Sequence, residues 1–364
     1  MHIRYNIKPK FVKINVLKPD RKGKPGIKKQ VSYSGKTIII GSDYSPLSLR
    51  QYFRVYHLLT RMADKPSRAL VLYGDGSARS VDPSNTHIHS LASVGTCGFL
   101  SLPHAPPAET EDERIVREFA HLLDASEAYT LASGLKANGS ENEVSTLSER
   151  FMGIKAALVT DSSSLTSFGK LIGLDVLQLN EIHQKSDDSF PSDATATELL
   201  RLLGFEEGKC LDVSLYDSVF VHIGGDNVRT INSLIGSIMR MSQPGSEIAP
   251  RLHLSLVLSY GSVTDKDVSD FNVKKTPQEG INPAFQGLVP RQSYTMRGEK
   301  TRDNVRDYCP MLVAQWQDAV TRKDLVDTLS FEALKKLSGS LVIPADRFIH
   351  EVAFKLWKAP KYGA

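Results

Sequence analysis

Along the chain, short unbroken apolar runs alternate with stretches in which apolar residues recur every three or four positions. Arg68-Ala-Leu-Val-Leu-Tyr73 is one such run, and Gly74-Asp75-Gly76-Ser77 closes it. The same grammar returns at Ala156 to Thr160 before Asp161-Ser162-Ser163-Ser164, and at Ser218 to Ile223 before Gly224-Gly225-Asp226. It returns once more at Leu252 to Leu258 before Ser259-Tyr260-Gly261. A run that is apolar at successive positions and ends in turn residues predicts a strand buried on both faces. Between the runs, Leu165, Phe168, Leu171 and Ile172 mark one side of a helix over 165–174, with Ser162 to Ser164 as its caps. Ile231, Leu234, Ile235, Ile238 and Met239 follow i, i+3, i+4, i+7, i+8 spacing and predict a helix over 228–241. Repeated strand–turn–helix units predict an α/β fold, a mostly parallel central sheet with helices on both faces. In such sheets ligands bind beyond the carboxyl ends of the strands, where Asp75, Asp161 and Asp226 fall.

The first 64 residues read differently. Phe11 to Leu17 and Val31 to Ile40 are rich in β-formers and flank a Lys-, Pro- and Gly-rich segment at 18–26, which predicts a hairpin. Leu49, Tyr52, Phe53, Tyr56 and Leu59 predict a helix over 46–62. The chain is therefore divided into an extension at 1–64 and an α/β core at 65–364. Charge sharpens that division: residues 1–30 hold ten Lys or Arg against one acid, Asp20, so of the formal net charge of +4 the remainder carries −5. A negative main body argues against a nucleic-acid enzyme with a basic cleft. Arg21, Lys22, Lys24, Lys28 and Lys29 are instead candidate anion-binding residues, for a phosphate backbone or anionic surface. The same lysines suit a solvated edge hairpin that discourages strand pairing. Nucleic acid enters the reading through 18–29 alone.

Three cysteines, Cys97, Cys210 and Cys309, are too few and too scattered for a disulfide framework or a Cys-based zinc site. No apolar run approaches the ~20 residues of a membrane-spanning helix, and the N-terminus has no apolar signal core. The expected location is cytoplasmic.

The order of the motifs resembles the alkaline-phosphatase superfamily, and within it the cofactor-independent phosphoglycerate mutase branch. Ala69 to Gly76 resembles the first strand with its metal-binding Asp. Thr86 to Gly98 resembles the next helix and Gly-rich strand start, and Lys170 to Leu177 the helix-to-strand stretch after the mutase lid. Tyr216 to Ile223 resembles the strand that leads to a second metal-binding Asp. Leu254 to Ser262 stands where the family has a strand ending in Asp-His, and Pro310 to Val313, Asp324 to Leu329 and Ala345 to Leu356 resemble the closing strand and last helix. The chain also resembles an uncharacterised plant protein family, which brings no activity with it.

The resemblance implies two divalent cations, Mn, Zn or Mg, that clamp the attacking and leaving oxygens of a phosphoryl transfer, and a hydroxyl nucleophile. It carries the metal role to Asp75 and Asp226, and the nucleophile to Thr110, while Asp161 is a ligand that a divergent enzyme could recruit; Asp75 reads also, and somewhat better, as a turn aspartate, and Thr110 as an acidic helix start. The matching imidazoles are missing. Val228-Arg-Thr-Ile-Asn232 follows Asp226 without a His, Ser259-Tyr260-Gly261 replaces Asp-His, and Asp307-Tyr308-Cys309 stands where the last His belongs. The lid shrinks to about 127–152, while about 264–306 forms a long insertion. Ser162, Ser163 and Lys170 are candidate phosphate-binding residues at a helix start. His222 and His253, inside apolar strands, read as core histidines. The expectation is a non-catalytic or strongly divergent member of this fold that needs no cofactor and binds a protein partner or a phosphorylated small molecule. The alternatives are a divergent metal-dependent phosphotransferase or phosphohydrolase, and an anionic-polymer binder.

Overall fold

In a computed structural model, Arg68–Gly74 forms a strand (β4) in which every residue is buried. The same is true of Ser218–Ile223 (β10) and Leu252–Ser259 (β11). Successive side chains on a strand point to opposite faces, so burial at every position means that both faces are covered. The structure describes residues 67–106, 108–133, 144–182, 192–263, 269–273, 300–337 and 342–359, and the backbone of short strands at 13–16, 29–33, 36–40 and 296–297. The loop at 18–28, the predicted helix over 46–62, the polar loop at 134–143 and most of the insertion at 264–306 lie outside the described residues.

Two compact units are present, Met1–Asp64 and Lys65–Ala364. In the first, β1 (Lys13–Val16), β2 (Lys29–Tyr33) and β3 (Lys36–Ile40) form an antiparallel sheet in the order β1-β2-β3. The expected hairpin is the β1–β2 pair, and β3 adds a third strand to it. The stretch 31–40 holds parts of two strands, which pair antiparallel with Tyr33 opposite Lys36.

The second unit is built on an eight-stranded sheet in the order β15-β5-β14-β11-β4-β10-β6-β7. Its other strands are β5 (Thr96–Ser101), β6 (Ala156–Val159), β7 (Asp175–Leu177), β14 (Met311–Trp316) and β15 (Val342–Pro344). Seven strands are parallel; β14 runs against both its neighbours, β11 and β5. Two small hairpins lie outside this sheet, β8 (Phe205–Glu206) with β9 (Lys209–Cys210) and β12 (Met296–Arg297) with β13 (Lys300–Thr301).

The helices are α1 (Thr86–Val94), α2 (Glu111–Leu122), α3 (Ser126–Ala132), α4 (Leu147–Arg150), α5 (Ser163–Leu171), α6 (Leu179–Ile182), α7 (Ser192–Leu202), α8 (Val228–Met241), α9 (Phe331–Leu337) and α10 (Phe348–Lys355). They pack in two groups: α1 and α7 against α8, and α2 against α3 and α5. On α8 the apolar stripe is Ile231, Leu234, Ile235 and Ile238, all fully buried, whereas Leu171, on the apolar side of α5, is exposed. Among the described residues no helix is long and apolar enough to cross a membrane.

Candidate functional site

Strands β4, β10 and β6 are neighbours, so the turns after them bring Asp75, Asp226 and Asp161 to one edge of the sheet. Their surroundings differ. Asp161 and Asp226 are exposed, whereas Asp75 keeps 2% of its surface. The turn after β4 is tight: Gly76 has φ +67° and Gly261, after β11, has φ +70°. A Cβ on Gly261 would lie 3.1 Å from the Gly76 Cα, so the two turns meet without room for a side chain. Ser259 ties them together. Its Oγ accepts from the N–H of Gly76 at 3.1 Å and of Gly261 at 3.4 Å, and donates to Asp75 Oδ1 at 3.5 Å.

The group that faces Asp75 is an arginine. On α2, Arg114, Ile115, Glu118, Phe119 and Leu122 are buried together, which carries Arg114 and Glu118 inward with the apolar stripe. Arg114 Nη2 lies 2.7 Å from Asp75 Oδ1 and 2.5 Å from Glu111 Oε1, and its Nη1 lies 3.0 Å from Glu118 Oε2. Glu118 also accepts from the Tyr73 hydroxyl at 2.7 Å. Alongside, Arg117 pairs with Glu109 at 2.6 Å. A carboxylate taken out of water costs several kcal/mol unless it is paired, and here the guanidinium supplies the pairing. Burial raises the carboxyls of Asp75 and Glu118 above their ordinary range, against the opposing pull of Arg114. Burial, helped by Glu118 and Asp75, pushes the Tyr73 phenol well up, so it stays a donor.

His222 borders the cluster, its ring 5.6 Å from that of Tyr73. Its Nδ1 is 3.0 Å from Thr160 Oγ1, which also accepts from the Ser162 N–H at 3.0 Å. Its Nε2 is shielded from solvent without a hydrogen-bond partner. Burial, and then Arg114, lower the imidazole to about 4, so the ring is neutral at pH 7. His253 is fully enclosed and lowered to about 3 by burial and by Lys355. Both are core histidines.

The pair of divalent cations implied by the resemblance does not fit these donors. Such a site needs carboxylates and imidazoles converging at about 2.0–2.2 Å on each ion. Asp75 is committed to Arg114, and Asp161 and Asp226 are exposed. Among the described residues no group of three or more His, Cys, Asp or Glu is arranged to hold a metal ion. Thr110 is exposed and is the N-cap of α2: its Oγ1 accepts from the Glu113 N–H at 3.3 Å, while the Glu113 carboxylate accepts from the Thr110 N–H at 2.8 Å. Ser162 is likewise a cap, accepting from the Leu165 N–H at 3.3 Å. Ser163 opens α5 and Lys170 stands in its last turn. At 1.5 Å per residue Ser163 and Lys170 are roughly 10 Å apart along the axis, so the two stand at opposite ends of α5. Lys29 lies in β2; Arg21, Lys22, Lys24 and Lys28 lie outside the described residues.

Sequence reasoning overlooked Arg114 and Glu118. The signal was there: Glu111, Arg114 and Glu118 stand at i, i+3 and i+7, on the stripe that carries Ile115 and Leu122.

No protein-family model matches the chain, and no curated protein matches it. Among solved structures it is similar to a protein of Pyrococcus horikoshii, with 11% identity and a TM-score of 0.47, over 82% of this chain and 100% of that one. It is similar to a cofactor-independent phosphoglycerate mutase of Thermoplasma acidophilum, with 11% identity and a TM-score of 0.41, over 79% and 98%. A third similarity is to the lipoteichoic acid synthase LtaP of Listeria monocytogenes, with 8% identity and a TM-score of 0.37, over 72% and 68%.

Proposed function

We propose that this chain is a non-catalytic member of the phosphatase- and mutase-like α/β proteins and acts by binding a partner or a phosphorylated ligand. One observation carries the reading: the Arg114 guanidinium sits 2.7 Å from Asp75, the carboxylate to which the motif order assigns a metal. A fixed positive charge there answers the carboxylates and repels a second cation. At an effective dielectric of 20, a divalent ion 4 Å from the guanidinium is opposed by roughly 8 kcal/mol, which cancels the attraction of one carboxylate at the same distance. With Thr110 capping α2 and no His at the positions that the motif order assigns after Asp226 and Leu258, these residues supply neither an activated nucleophile nor a cation clamp.

The test is calorimetric titration of the purified protein with Mn²⁺, Zn²⁺ and Mg²⁺, beside an assay with a generic phosphomonoester. The expected result is no stoichiometric cation binding that depends on Asp75, and no Asp75-dependent turnover. Tight stoichiometric binding abolished by Asp75→Asn, or hydrolysis lost with the same change, overturns the proposal in favour of a divergent metal-dependent enzyme.

A further inference from the structure

Opposite Asp75, at the amino edge of the same sheet, two arginines lie side by side. Arg68 opens β4 and Arg251 immediately precedes β11; the strands pair in parallel, and the Arg68 N–H donates to the Arg251 carbonyl at 2.8 Å. Both side chains are buried, to 6% and 9% exposure. The Arg68 guanidinium stacks over the Phe205 ring at 5.3 Å and is held by carbonyls alone: Nη1 donates to Leu203 O at 2.7 Å and to Gly204 O at 2.8 Å, and Nη2 to Leu211 O. Carbonyls satisfy its donors and leave its charge uncancelled. Arg251 has less. Its Nε and Nη1 are shielded from solvent and have no hydrogen-bond partner, and among the described residues neither arginine is in an ion pair.

Two further polar atoms at this edge are buried without partners, Ser218 Oγ at the start of β10 and Gln317 Oε1 just past β14. The Gln317 amide already bonds Ser67 Oγ and Pro250 O at 2.7 Å each, which holds the Arg68 and Arg251 backbones in place. A buried cation with idle donors costs several kcal/mol, and it is set here beside a second cation. Burial opposes the Arg251 charge most, Arg68 adds to that opposition, and Asp212, in the loop after β9, favours the charge.

We infer that the Arg68–Arg251 edge is an oxyanion site, which takes a phosphate or carboxylate group through the free donors of Arg251 and the uncancelled charge of Arg68. An oxyanion supplies what is short there, acceptors for the idle N–H groups of Arg251 and a counter-charge beside the Arg68 guanidinium. The site lies at the opposite edge of the sheet from the Asp75 cluster.

Thermal unfolding of the full chain in chloride, compared with inorganic phosphate or acetate at matched ionic strength, tests it. The wild-type Tm is expected to rise by about 2–4 °C at an anion concentration some tenfold above Kd. Arg251→Met, which keeps the apolar stem and removes the idle cation, is expected to raise Tm in chloride and to abolish the response to both anions. A larger response to phosphate assigns a phosphate group, and a larger one to acetate a carboxylate. A variant with Arg21, Lys22, Lys24, Lys28 and Lys29 all changed to Ser should respond as the wild type does. The proposal is overturned by no response, by equal responses in wild type and Arg251→Met, by a lower Tm of Arg251→Met in chloride, or by loss of the response in the five-residue variant.

Discussion

Arg114 and His222 show how differently a buried polar residue can be accommodated. Arg114 is charged and answered by Asp75 and Glu118 within 3.0 Å. Removing it strands two carboxylates in the interior, so Arg114→Met is expected to cost about 3–5 kcal/mol in denaturant unfolding. Adding Asp75→Asn should recover part of that loss, with a coupling of about 0.5–3 kcal/mol in a double-mutant cycle. Strict additivity would mean that the pair is not an interacting unit, and the charge-balancing role of Arg114 would go with it. His222 is accommodated by staying neutral. Its pKa is about 4 in the folded chain and about 6.5 unfolded. Between those values the unfolded state binds the extra proton, so stability is full above pH 6.5 and declines as pH falls towards 4, by roughly 3 kcal/mol from this ring. Urea unfolding at pH 7.5, 6, 5 and 4.5 should show that decline, and His222→Gln should flatten it. An unchanged slope in His222→Gln would exclude the ring as its source.

Among the elements, α2 matters most, because it delivers Arg114 and Glu118. Its start is set by the capping box of Thr110 and Glu113, and by Glu111, Asp112 and Glu113 in the first turn, which favour the positive end of the helix dipole. Thr110→Ala is therefore expected to lower stability by about 1 kcal/mol, and Thr110→Ser to leave it nearly unchanged. Thermal unfolding of the two variants decides the matter: equal stability in both would remove the cap as the function of this hydroxyl. The turn after β4 is set in another way, by the approach of Gly76 to Gly261 and by the Ser259 hydroxyl between them. Ser259 stands where the motif order expects a metal ligand, and its hydroxyl is taken up by the Gly76 and Gly261 N–H groups and the Asp75 carboxylate.

For the α/β unit as a whole, the strand order sets a gradient of protection. β4, flanked by β11 and β10, lies inside the sheet, whereas β7 is a three-residue edge strand whose first residue, Asp175, is exposed. Opening the centre requires breaking two ladders and uncovering two apolar faces, while the edge loses one ladder. Native-state hydrogen exchange should find the amides of β4, β10 and β11 slowest and those of β7 fastest among the sheet strands. Comparable protection of β7 would indicate that something covers that edge.

Periodicity along the chain determined the elements. Ser218–Ile223 and Val228–Met241 have the same bounds in the sequence pattern and in the structure, because burial on one or two faces is written locally, residue by residue. The α/β class and the gathering of three aspartates at one sheet edge followed from that local code. Tertiary structure alone decided which charges meet. Arg114 reaches Asp75 across 39 positions of chain, Arg68 lies against Arg251 through the pairing of β4 with β11, and β14 runs antiparallel within an otherwise parallel sheet. No spacing rule links such residues. A side chain's partner is set by how strands and helices pack, and packing is a property of the assembled sheet rather than of any segment within it.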